Sequence, residues 1–210
     1  MVASALLARG KKVALFESDE NAPLGTWRAN ARARGTWDEG CRIFPAGDLA
    51  YFEQSAVAAE KAGYEFALVD THGGGSELNS TVVASSTLVI IPTAITSYDV
   101  NASVLTVEFV VDLLEREELE ETVIVALLVT KLPHTLNKSR QSDLKAIEVF
   151  PLFETMLRDR DALTRMLHAG LLHLTLEQRR TESPIAATHF QSAMREADRL
   201  VDEVLEIMEG

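Results

Sequence analysis

Two carboxylates in this chain stand where an apolar run gives way to turn-forming residues, and each is placed to do phosphate chemistry. Phe66-Ala67-Leu68-Val69 stops at Asp70 and opens into Thr71-His72-Gly73-Gly74-Gly75. Val13-Ala14-Leu15-Phe16-Glu17 gives way to Ser18-Asp19-Glu20-Asn21-Ala22-Pro23. Ligands of open α/β sheets bind at the carboxyl ends of the strands. There one acid can order the water shell of a magnesium ion while another positions an attacking water. Gly73 to Gly75 can bring backbone N–H groups close to a phosphate. The same residues also have a reading without a ligand: Asp19 and Asp70 cap the turns after their strands, and the glycines permit a tight turn. Residue types leave both readings open.

For the two acids to meet, the runs before them must be strands of one sheet, and the surrounding pattern supplies one. Residues 1–9 read as a helix closed by Gly10, and 13–17 as a buried strand. Residues 24–33 read as a helix with Trp27 on its apolar side, 41–45 as a second strand, and 49–62 as a helix ended by Gly63. Residues 65–70 form the next strand, 77–85 a short helix, and 87–91 a β-branched strand cut off by Pro92. Val104, Val107, Val110, Val111 and Leu114 recur at helical spacing within 99–117. Residues 122–129 are a continuous apolar strand, 133–145 polar and irregular, and 147–153 a last strand; helices follow near 159–169 and 192–208. Strands alternating with helices predict an α/β fold with a doubly wound, mostly parallel sheet. Apolar strand runs predict a sheet covered on both faces. The expectation is a single domain over 1–210, with a helical part over about 154–210.

Composition narrows the function classes. The 210 residues carry a formal net charge of -12, which argues against broad adhesion to nucleic acid or anionic lipid. Cys41 is the only cysteine, so an intramolecular disulfide or thiolate cluster is excluded. No window approaches the roughly 18 apolar residues of a membrane span, and residues 1–12 lack the order of a signal peptide. The chain reads as soluble and cytoplasmic. No Gly-x-Ser-x-Gly elbow is present, and His72, His134, His168, His173 and His189 show no ligand spacing.

Residues 12–21, then Asp70-Thr71-His72-Gly73-Gly74, then Ala84-Ser85-Ser86 with 88–92 form an ordered set that resembles the ParA/MinD group of deviant Walker ATPases. Within that group, residues 20–24, Trp27-Arg28, Thr36-Trp37-Asp38, Ser76-Glu77-Leu78-Asn79 and 170–176 are similar to the VirC-type partition-like ATPase that assists T-DNA transfer. The resemblance runs from residue 1 to about 180. It implies a P-loop NTPase-like fold and an ATP-dependent homodimer on DNA, serving plasmid partition, conjugation or T-DNA transfer with transfer or partition proteins as partners. It further implies that Asp19 orients the hydrolytic water and that Asp70 supports Mg2+ through water. Thr71, Gly73 and Gly74 become the second switch, and Thr130-Lys131 take the place of the Asn-Arg pair beside the base. Glu17 stands where the family's first switch has an aspartate, and His72 where many relatives have proline.

The family opens with a strand, a Lys-Gly-Gly-x-Gly-Lys-Thr loop and a helix, whereas this sequence begins inside that helix. ATP and Mg2+ are the cofactors of the intact family; with the loop amides and lysines absent, the expectation is that this polypeptide binds neither tightly and does not hydrolyse ATP. An interior strand lost from a sheet leaves buried groups unpaired at about 1–3 kcal/mol each. The expectation is therefore an N-terminally truncated reading frame, and the competing one a nucleotide-free relative whose sheet closes up. A catalytically inactive interaction module of the same fold is the alternative function.

Two further features carry expectations. Residues 128–180 hold nine basic against six acidic side chains. By the family resemblance Arg158, Arg160, Lys138 and Arg140 become candidate DNA contacts, and a solvated mixed-charge surface is the other reading. The last helix has Met194, Ala197, Val201, Val204, Leu205 and Met208 near helical spacing. Its many acids make packing on protein, not on anionic lipid, the expectation.

Overall fold

The computed structural model describes residues 1–19, 21–71 and 75–209, apart from the side chains of Leu167 and Ala186. The chain groups into two compact units: Met1–Asn79 with Asp161–Val201, and Ser80–Arg160 with Asp202–Gly210.

The first unit is built on a parallel sheet of order β2-β1-β3, with β1 Val13–Glu17, β2 Cys41–Pro45 and β3 Phe66–Val69. Val13 pairs with Cys41 on one side and Phe66 on the other, so β1 is the central strand. Its Val13 to Phe16 run is buried because both neighbours cover its edges and helices cover its faces. Phe16 meets Phe44 and Phe52 with ring centroids 5.7 and 5.6 Å apart. β3 is only half-buried and its Ala67 is exposed, so the expectation of a sheet covered throughout fails at this strand. The sheet is crossed by α2 (Pro23–Ala33) and α3 (Leu49–Lys61), and preceded by α1 (Val2–Ala8). Asp48 starts α3 by accepting from the Tyr51 N–H at 2.8 Å. Gly10, at φ 76, ends α1 as expected: its N–H donates to the Leu7 carbonyl while Lys11 N–H reaches Leu6.

The second unit pairs β4 (Leu88–Thr93) with β5 (Ile124–Val129) in parallel, joined by α5 (Ser97–Arg116). Helix α4 (Glu77–Ala84) leads into it. Pro92 does not cut β4 off as expected but pairs with Leu128. Among the described residues β4 is paired on one side only, and its other edge needs no N–H donor. Val100, Val107, Val110 and Leu114 of α5 pack with Leu127, Val129 and Ile147 in one cluster.

Two expectations in this unit are corrected. The stretch read as irregular contains α6 (Lys138–Ile147), started by Asn137, whose side chain accepts from Arg140 N–H at 2.9 Å. The last strand expected over 147–153 is not formed: Ile147 ends α6. Residues 151–159 instead run beside β5 with only isolated bridges at Leu152 and Arg158. The ladder breaks because Glu154 and Thr155 turn their N–H groups to the Glu203 carboxylate, at 2.8 and 2.7 Å.

Three helices follow: α7 (Asp161–Ala169), α8 (Leu172–Glu182), not foreseen as an element, and α9 (Pro184–Glu209). α9 buries Phe190, Ala193, Ala197, Leu200, Val201 and Val204, so its apolar stripe is spent on the protein's own core. No helix among the described residues is long and apolar enough to cross a membrane.

Candidate functional site

Because β1 and β3 are adjacent and parallel, their carboxyl ends emerge side by side. Phe16, Glu17, Ser18, Asp19, Pro23, Asp70 and Thr71 line a cleft of about 150 Å³ there. The structure thus brings Asp19, Asp70 and Thr71 onto one site. Ser18 Oγ donates to the Asp70 carbonyl at 2.8 Å and ties the two strand ends together. Asp70 is exposed and Asp19 half-buried.

Asp19 also shapes its own turn. Its Oδ1 accepts from Asn21 N–H at 2.8 Å and Asn21 Nδ2 at 3.0 Å, while its carbonyl accepts from Ala22 N–H. Ala22 then takes a left-handed φ of 47, and Pro23 opens α2 at its first position. The Ala22 methyl offers no acceptor to cap this helix; Glu17 does it from β1, accepting from Gly25 N–H at 3.0 Å. Ser18 is therefore a support that the sequence did not single out, and Glu17, noted there only for its place in the family's first switch, is a second. A second depression, of about 410 Å³, shares Glu17 and Asp19 and is lined also by Arg28, Ile43 and Tyr51.

Among the described residues, no three His, Cys, Asp or Glu side chains converge on a point that could hold a metal directly. Two carboxylates at one strand-end cleft fit a cation held through its water shell. His72, Gly73 and Gly74 lie outside the described residues. Cys41 is no candidate nucleophile: burial first, and then the nearby Asp38 charge, push its thiol up to about 12.

A second constellation in this unit gathers Trp27, Thr36-Trp37-Asp38 and the stretch after Ala169. Thr36 Oγ donates within reach of two carbonyls, Ala169 at 2.6 Å and Ala31 at 3.1 Å, and its own carbonyl accepts from Leu171 N–H at 3.0 Å. Trp27 Nε1 donates to the Met166 carbonyl at 3.0 Å and its ring meets Trp37 edge-on at 5.3 Å. Leu172 N–H donates to buried Ser4 Oγ at 2.9 Å. Gly170, at φ +100, lies so close to Thr36 that a Cβ there would meet the Thr36 carbonyl at 2.8 Å. His173 Nε2 stands 3.5 Å from Asp38. Burial holds the His173 imidazole below its ordinary range, against the raising effect of Asp38.

The residues of both constellations fall within one matched family: the VirC1 protein model covers residues 1–210. This chain belongs to the VirC1 family. It is 37% identical over 209 residues to protein virC1 of Rhizobium rhizogenes, covering 97% of this chain and 90% of that protein. It is 36% identical over 211 residues to protein virC1 of Rhizobium radiobacter, with the same coverage of 97% and 90%. Among solved structures it is similar to the MinD cell division protein of Aquifex aeolicus. The TM-score is 0.62 at 15% identity, over 96% of this chain and 88% of that one. The fold of this VirC1-family chain is thus the α/β, parallel-sheet fold of MinD.

The remaining candidates lie in the second unit. Thr130, just past β5, donates through its N–H and its hydroxyl to the Thr93 carbonyl, at 2.7 and 3.2 Å. Lys131 follows at a left-handed φ of 50 and is exposed. Lys138 is exposed at the first position of α6, and Arg140, two residues on, is half-buried. Arg158 and Arg160 are half-buried in the segment that runs beside β5, where Leu132 and Arg158 bridge. No sequence signal announced that segment's interrupted ladder, since it depends on Glu203 from the far end of the chain.

Proposed function

We propose that this VirC1-family chain is a ParA-like nucleotide switch in T-DNA transfer, conjugation or plasmid partition, acting in the cytoplasm. In its ATP-dependent state it is a homodimer on DNA that recruits transfer or partition proteins, and hydrolysis resets the cycle. The observation that supports this most is the meeting of Asp19 and Asp70 in one cleft at the ends of neighbouring parallel strands. Asp70 would hold a magnesium ion through water, and Asp19 would orient the attacking water from the end of the neighbouring strand. Thr71, Gly73 and Gly74 would approach the phosphates, and Thr130 and Lys131 would flank the base. Magnesium, when bound, neutralises phosphate charge. Arg158, Arg160, Lys138 and Arg140 would contact the DNA backbone without reading sequence.

The test is magnesium-dependent ATP binding, measured on this chain and on a form extended upstream by about 20 residues, the span of a strand, a phosphate loop and a helix start. Binding that appears on extension and is lost in Asp70→Asn supports the switch. No binding in either form replaces it with a non-hydrolysing interaction module of the same fold. For DNA, Arg158→Gln with Arg160→Gln should weaken binding and flatten its dependence on salt; unchanged binding removes both from the interface.

A further inference from the structure

Helix α5 carries two apolar faces. Val100, Val107, Val110 and Leu114 are buried in the second unit's core. On the opposite side Tyr98 is 82% exposed, Leu105 65% and Phe109 37%. Together with exposed Ala102 they follow the alternating four- and three-residue spacing that draws one straight line along a helix. A single exposed leucine needs no explanation, but a continuous line with two aromatic rings over three turns does.

The charges beside that line say what fits it. At 100° per residue, Glu108, Asp112 and Glu115 fall along one edge of the stripe, and all three are exposed. Among the described residues none of them pairs with a cation. Arg116, at the end of the stripe, turns its Nε back to the Asp112 carbonyl at 3.0 Å. Asp112, Glu115 and Arg116 line an open depression of about 520 Å³ at this end. A second copy of α5 would bring one cation, Arg116, against four carboxylates, counting Asp99. An anionic membrane would be repelled by the same edge.

We propose that the outward face of α5 docks a basic amphipathic helix of a partner protein. Its apolar residues lie along Tyr98, Leu105 and Phe109, and its lysines or arginines along the Glu108–Glu115 edge. The proposal is independent of the nucleotide reading, because it uses no residue of the Asp19–Asp70 cleft.

The experiment uses the full chain and two labelled synthetic helical peptides with leucines at alternating four- and three-residue spacing. One has lysines along a single edge, and the other has glutamates in their place. Fluorescence anisotropy should show saturable binding of the lysine peptide alone, weakened by added salt. Leu105→Glu should reduce it at least about tenfold, and Phe109→Ala similarly, as for anchor residues of an interface. Glu108→Gln with Glu115→Gln should reduce it by about threefold, as expected of edge charges. Both anchor positions are exposed, so each variant's melting midpoint checks that the fold is intact. Equal binding of the two peptides, or binding that neither anchor variant weakens, overturns the proposal. So does the absence of saturable binding. A dimer that Leu105→Glu disperses in sedimentation makes a second copy the occupant, and flotation with phosphatidylglycerol vesicles makes it a membrane; either also overturns it.

Discussion

The cleft at Asp19 and Asp70 and the seam around Thr36 and Gly170 belong to the same unit but are built by opposite means. In the cleft, polar groups face solvent and are held by local turns: Asp19 by Asn21 two residues on, Glu17 by Gly25 eight residues on. In the seam, the buried hydroxyls are satisfied by partners more than a hundred positions away, as Thr36 is by Ala169 and Ser4 by Leu172, while Trp37 Nε1 and His173 Nδ1 are buried without a partner among the described residues. The first arrangement sets the carboxylates of Asp19 and Asp70 at a cleft open to solvent. The second turns its hydroxyls inward and fixes how α1, α2, α7 and α8 meet. A cleft side chain should therefore be replaceable at little cost to the fold, and a seam side chain should not.

Substitutions can break or sharpen that contrast. The largest effect should come from Gly170→Ala. At φ +100 a Cβ would meet backbone, the Thr36 carbonyl, at 2.8 Å and the Ala31 Cβ at 2.9 Å. A loss of about 3 kcal/mol or more is expected, read as a lowered denaturant midpoint or loss of soluble protein. A variant that melts like the parent would remove the close approach on which the seam rests. Next is Thr36→Val, which keeps the shape but removes the shorter of two hydroxyl bonds to the Ala169 carbonyl, leaving the one from Thr175 Oγ at 3.2 Å; about 1 kcal/mol should go in the same assay. Thr36→Ser should recover most of it.

Asp19→Asn is expected to shift stability by less than about 0.5 kcal/mol, because the amide oxygen still accepts from Asn21 N–H. Under the proposed switch the same change should abolish ATP turnover in the upstream-extended form. A large stability loss would mean that Asp19 serves the fold and not the chemistry.

The smallest effect is on pH. Burial holds the His173 pKa in the fold below the ordinary 6.5. The unfolded chain therefore binds the proton more readily in the window between the two values. Stability is fully present above 6.5 and declines as pH falls from there through the lowered folded value. His173→Asn should flatten this decline in a series of melts from neutral to mildly acidic pH. A slope unchanged by the substitution would assign it to other groups.

The contrast also explains which features could be read in advance. β1 and β2 were legible to the residue, because a short apolar run bounded by turn formers has few other uses. Gly10 and Gly63 both take the positive φ that a helix-ending glycine permits, at 76 and 73. Pro92 misled because proline's prohibition in a strand depends on which edge is paired. The stretch 147–153 misled because Ile147 still belongs to α6 and the amides just beyond it, of Glu154 and Thr155, answer to Glu203, some fifty residues away. Thr36-Trp37-Asp38 and 170–176 entered only through family likeness, and the coordinates give those residues a physical reason.

Patterning along the chain was enough to set the α/β class, the parallel strands and the two acids at strand ends, since each follows from neighbours within a few residues. Tertiary structure alone decided that β1 lies between β2 and β3, which puts Asp19 beside Asp70. It alone decided that Thr36 meets Gly170, and that one side of α5 stays uncovered. Strand order, close backbone approach and exposure are set by contacts between distant segments, and local periodicity carries no record of them.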